Sequence, residues 1–72
     1  MKKTYKMENL DCANCAAKME AAIGKLPGVE KVTVNFLMQK ITLVAEENDL
    51  PGILEAANRC CQKVDRDCRI LY

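Results

Sequence analysis

Cys12 and Cys15 are separated by two residues, and Asp11 stands directly before the first of them. Two thiols at that spacing in a turn meet on one side, so the pair can close on a single soft metal ion. The same pair can form a redox disulfide. Asp11 is a hard oxygen donor, useful to a divalent ion and of little use to Cu(I). A carboxylate at this place also suits a helix cap that accepts a backbone N–H. From the residues alone, the ligand and cap readings of Asp11 stand level.

The pair lies where a strand pattern gives way to a helix pattern. Residues 4–9 alternate, with Tyr5 and Met7 on one face and Lys6 and Glu8 on the other, which predicts a half-buried strand. From Cys15 to Leu26 the residues Cys15, Met19, Ala22, Ile23 and Leu26 recur at three- and four-residue steps, the mark of an amphipathic helix. Its N-terminus offers unpaired N–H groups and a positive dipole end. Both are expected to lower the thiol pKa and favour thiolate, the form that binds metal.

Pro27-Gly28 stops this helix. Two alternating β-branched runs follow, Val29 to Asn35 and Lys40 to Ala45, joined by a turn around Leu37, Met38 and Gln39. They predict an antiparallel hairpin. Glu46 to Asp49 make a polar break, with Asp49 as the expected start of a second helix and Pro51 in its first turn. Leu50, Ile53, Leu54, Ala57, Cys61 and Val64 form that helix's apolar stripe, and Cys68 to Tyr72 a short last strand. The order is β-α-β-β-α-β. Two amphipathic helices and four half-apolar strands are buried most economically as an α+β, ferredoxin-like sandwich, a four-stranded antiparallel sheet with both helices on one face. One domain spans residues 1–72.

Composition excludes several classes. Lys and Arg number 11 against 10 Asp and Glu, a net charge of +1 and no footprint for nucleic acid. No apolar run of about 18 residues exists to insert into a membrane, and the basic start lacks the apolar stretch of a signal peptide. Lys2, Lys3, Lys18 and Lys25 read as a scattered solvated surface more readily than as a dock for an acidic partner. Five cysteines, an odd number, in a clearly periodic chain with three Gly and two Pro point to a reduced, cytoplasmic protein. A thioredoxin-like oxidoreductase is longer, and a proline facing its thiols is expected; Pro27 and Pro51 both sit at helix boundaries. With no histidine and no general acid or base of its own, the chain reads as a binding and transfer domain, not an enzyme. A lone dithiolate leaves a tetrahedral ion two ligands short, which suits handing a metal on.

The stretch Leu10-Asp11-Cys12-Ala13-Asn14-Cys15-Ala16-Ala17-Lys18-Met19-Glu20 resembles the metal-binding motif of heavy-metal-associated domains, the ferredoxin-like modules of metallochaperones and of the N-terminal tails of metal-pumping P-type ATPases. Leu26-Pro27-Gly28-Val29, Val32-Thr33-Val34-Asn35-Phe36 and Ile53-Leu54-Glu55-Ala56 extend the resemblance over nearly the whole chain. Copper members usually read Gly-Met-Thr before the first cysteine; this chain has Asn9-Leu10-Asp11. Asp11 resembles the zinc, cadmium and lead branch and favours the ligand reading. The resemblance implies Zn(II), Cd(II) or Pb(II) as cargo, with Cu(I) as the alternative of a free-standing chaperone. It implies ATPase domains, in cis or in trans, as partners, a cytoplasmic site that a larger pump can tether to a membrane, and a metal-bridged dimer as one assembly. The turn after the second helix faces the metal loop in this family. Its Gly-Lys or Gly-aromatic pair falls here on Cys61-Gln62, followed by Lys63. Cys60 and Cys61 are therefore expected near the site, with Cys61 the better candidate for a third sulfur ligand. Plain packing is the competing reading of both. Cys68 reads as structural.

Overall fold

The computed structural model describes residues 1–72. Strand β1 (Lys2–Glu8) is followed by α1 (Ala13–Gly24), β2 (Val29–Asn35), β3 (Lys40–Ala45) and α2 (Leu50–Val64), and the chain closes with β4 (Arg69–Leu71). The sheet order is β2-β3-β1-β4, with every neighbouring pair antiparallel. The two helices pack on each other, α1 also against β2 and α2 also against β4. This is the ferredoxin-like α+β arrangement expected from the alternation and the two stripes.

The boundaries differ where tertiary bonds extend or shorten a local pattern. Strand β1 begins two residues before the alternation does. The Met1 ammonium donates to the Ala45 carbonyl (2.7 Å) and the Ala45 N–H donates back to Met1 (3.0 Å), which zips the chain start onto β3. Asp49 holds the N-cap position of α2, as expected, but not as a side-chain cap. Glu47–Asp49 form a single 3-10 turn, Asp49 is already helical (φ −89°, ψ −18°), and its side chain makes no cap bond. Pro51 does occupy the first turn of α2, where no N–H is needed. The last strand is shorter than the apolar run of residues 68–72, because pairing with β1 covers only Arg69 to Leu71.

Fifteen side chains are buried and none of them is polar or charged. Met7 from β1, Ile41, Leu43 and Ala45 from β3, and Ile70 from β4 meet Ala16, Met19 and Ile23 of α1 and Leu50, Ile53, Leu54, Ala57 and Cys61 of α2. Each large aliphatic side chain removed from water stabilises the fold by about 1.5–3 kcal/mol. One turn constrains this packing tightly. Gly28 sits at φ 90°, and a Cβ there would lie 3.3 Å from Ile53 Cδ1, so the α1–β2 turn requires glycine.

Candidate metal centre

The loop between β1 and α1 is held from both flanks. Asn9 leaves β1 in the left-handed region (φ 59°), and its side-chain amide donates to the Asp67 carbonyl (3.0 Å). Asparagine tolerates that conformation better than most residues with a Cβ. Leu10, 2 % exposed, plugs into the core and fixes the loop's depth. On the other side the Gln39 side chain bonds to the Leu10 peptide. Asp11 projects from this loop as an exposed residue.

Cys12 itself caps α1. It is extended (φ −139°, ψ 124°), and its Sγ accepts the Cys15 N–H at 3.3 Å. The cap reading of Asp11 is therefore overturned, since the sulfur of the next residue already takes the orphan donor. This cap also starts α1 two residues earlier than the apolar stripe suggests, and Cys15 lies in its first turn.

The helix start does not lower both thiols alike. The Cys12 pKa is lowered chiefly because the Cys15 thiol donates to its sulfur, then by the Cys15 and Asn14 backbone N–H groups and by Lys18. Cys15 is raised. It keeps its proton to make that bond, it is partly desolvated, and the negative charges of Cys12 and Asp65 oppose its ionisation. The pair is thus unequal, with Cys12 the readier of the two to lose its proton. Both are half-buried, and Cys15 packs against the core.

Asp65 is the site neighbour that residue patterns did not single out. It ends α2 as a half-buried C-cap in extended conformation, and its carboxylate acts on both Cys15 and Cys68. A negative charge, not the cation of Lys63, is what the turn after α2 presents to the thiols; Lys63 is exposed on the last helical turn. The sequence signal was available in Asp65-Arg66-Asp67 directly after the stripe, but no local rule tells which of these side chains turns inward.

No cluster of three or more Cys, Asp or Glu side chains is spaced to hold one ion, so neither Asp11 nor Cys60 or Cys61 is brought together with Cys12 and Cys15 as a ready third ligand. Cys61 is fully buried, and its thiol is pushed up to about 12 by burial and the neighbouring thiols. Cys68, equally buried, lies 3.9 Å from the Met19 sulfur. Cys60 is half-buried at the edge of the core. The two surface concavities, one around Leu26, Gly28 and Ile53 and one around Lys31, Thr33 and Val44, include none of the five sulfurs. The candidate site is an accessible loop, not a pocket.

Residues 4–59 match the heavy-metal-associated domain model. This chain belongs to that family. It is a heavy-metal-binding domain, and relatives carry the same module within transport proteins. The cadmium-transporting ATPase of Staphylococcus aureus is 34% identical over 77 residues, which cover 90% of this chain and 11% of that protein. The zinc/cadmium/lead-transporting P-type ATPase of Escherichia coli (strain K12) is 39% identical over 54 residues, 75% of this chain and 7% of that protein. Among solved structures, the N-terminal domain of PacS from Synechocystis PCC6803 superposes with a TM-score of 0.71 at 26% identity, covering 100% of this chain and 98% of that one. The chain thus spans only about a tenth of the two pumps. No helix is long and apolar enough to cross a membrane.

Proposed function

We propose that this domain binds a soft divalent ion, Zn(II), Cd(II) or Pb(II), through Cys12 and Cys15 with Asp11 as an added oxygen donor, and passes it to or within a metal-exporting P-type ATPase in the cytoplasm. The observation that carries this reading is that Cys12 and Cys15 sit together at the start of α1, joined by the Cys15 N–H to the Cys12 sulfur, on an accessible loop with carboxylates at positions 11 and 65. A divalent ion on two thiolates is neutral, whereas Cu(I) on two thiolates carries one negative charge. The field of Asp65, with Asp11 beside the pair, penalises the second complex more than the first. The likeness to zinc, cadmium and lead pumps supports the same choice. Cu(I) chaperoning is the second reading, favoured by the likeness to the N-terminal domain of PacS, a copper(I) ATPase.

Cys61 and Cys68 act in packing on this reading, because a thiol pushed to about 12 is a poor metal ligand at neutral pH. Transfer proceeds by ligand exchange: an incoming thiolate from the partner domain joins the ion, and Cys15 then recovers its proton as it leaves. Two loops sharing one ion would give a bridged dimer at high protein-to-metal ratio. Cd(II) titration monitored at the sulfur-to-metal charge-transfer band tests the ligand set. Loss of the band in Cys12→Ser and in Cys15→Ser, with the band kept in a Cys60→Ser, Cys61→Ser double variant that remains folded, is the expected result. A band that survives in Cys12→Ser, Cys15→Ser would overturn the proposal.

A further inference from the structure

Gln39 stands 29 residues from Leu10 in the chain, at the end of the hairpin turn, yet its side chain is spent on the metal loop. The β1–β3 ladder ends at Lys6↔Lys40. One more backbone bond follows, from the Met7 N–H to the Gln39 carbonyl (2.8 Å). Beyond that the Gln39 side chain continues the pairing by itself. Its Oε1 accepts the Leu10 N–H (3.1 Å), and its Nε2 donates to the Leu10 carbonyl and to the Phe36 carbonyl (2.9 Å). A primary amide has one carbonyl and two N–H donors, and here all three are used.

The backbone at Gln39 makes this placement informative. Its φ is 53°, in the left-handed region where glycine or asparagine is the usual occupant. Glutamine has no local reason to be there, and its half-buried side chain is the part that reaches the loop. Leu10 is the residue immediately before Asp11-Cys12, so its peptide sets the direction in which both groups leave the sheet. We infer that Gln39 is the positioning residue of the metal loop, an amide clamp that holds the Leu10 peptide so that Cys12 stays at the helix cap with its sulfur facing Cys15. This role rests on the reading of Cys12 and Cys15 as the ligands.

Gln39→Gly separates this role from a simple turn role, because glycine relaxes the left-handed backbone while deleting the amide. Three readouts are compared with wild type and with the control Leu37→Ser, which lies on the same turn and 88 % exposed. They are thermal unfolding of the metal-free protein, amide hydrogen exchange at Leu10 and Met7, and release of Cd(II) to excess chelator. The expected result is an unchanged or raised melting temperature, loss of protection at Leu10 with Met7 kept, and Cd(II) release faster by roughly two- to tenfold, the span of one net hydrogen bond. Wild-type protection at Leu10 together with wild-type release would overturn the inference. If the glycine turn melts early, Gln39→Met keeps the side-chain length, loses only the amide, and carries the same test. A wild-type protein without the Cd(II) band would sink the ligand reading instead, while exchange at Leu10 in the metal-free protein still decides whether Gln39 clamps the loop.

Discussion

The Cys12 pKa is lowered and the Cys15 pKa raised by their mutual contact at the start of α1, so the two thiols are unequal, with Cys12 the readier to ionise. The asymmetry is measurable without metal. Iodoacetamide near neutral pH is expected to label Cys12 faster than Cys15, with Cys61 and Cys68 labelled only on unfolding; mass spectrometry of a time course checks the order. Equal rates at the first two would remove the hydrogen-bonded pair. Metal affinity has a matching pH dependence. Between the lowered Cys12 pKa and the raised Cys15 pKa, binding releases about one proton per ion, and below both it releases about two. Cd(II) affinity should therefore fall as pH falls, more steeply on the acid side of the Cys12 titration, and competition titrations over a pH series read that slope. The spacing of Cys12 and Cys15 was enough to find this pair. The inequality between them was not legible, because it depends on which sulfur turns back to cap α1 and on a carboxylate from Asp65, 50 positions away in the chain.

The loop is only as fixed as the segments that hold it, and most of these could be read from the pattern of apolar residues. Strands β2 and β3 and the extent of α2 follow directly from alternation and the Leu50-to-Val64 stripe. What alternation could not reveal is pairing by side chains, such as Asn9 onto Asp67 and Gln39 onto Leu10. Nor could it show a 3-10 turn ahead of α2, in which Asp49 holds the N-cap position with no side-chain cap bond. The same packing logic makes two predictions. Gly28→Ala should cost about 1–2 kcal/mol, from left-handed strain and the Ile53 contact, read as a lowered urea midpoint with an unchanged m-value. Cys61 is raised to about 12 in the fold against an ordinary value of 9.0, so the unfolded chain gives up the proton first. Stability should thus be intact below about pH 9 and decline above it, by at most about 1.4 kcal/mol per pH unit for one thiol. In Cys61→Ala that slope should shrink, which urea melts at pH 8, 9 and 10 would show.

Seen together, the molecule is an aliphatic sandwich that keeps its sulfur chemistry at two depths. Cys12 and Cys15 are half-buried on an accessible loop, while Cys61 and Cys68 are buried in the core. A charge balance of +1 gives no strong field to steer a partner, and the charges nearest the thiols are those of Asp65 and Lys18, with Asp11 adjacent in the chain. The fold class was legible from the β-α-β-β-α-β order. Metal choice is not legible from fold, since the cadmium and zinc pumps and the copper(I) ATPase PacS domain to which this chain is similar share the module. Competition of Cu(I) against Cd(II) and Zn(II), run in parallel on wild type and Asp11→Ala with a chromophoric chelator for each ion, decides it. The expected result is a loss of divalent affinity in Asp11→Ala by roughly tenfold or more, with Cu(I) affinity unchanged or raised. Divalent affinity that survives Asp11→Ala intact would contradict the assignment of Asp11 as a ligand and restore the copper reading.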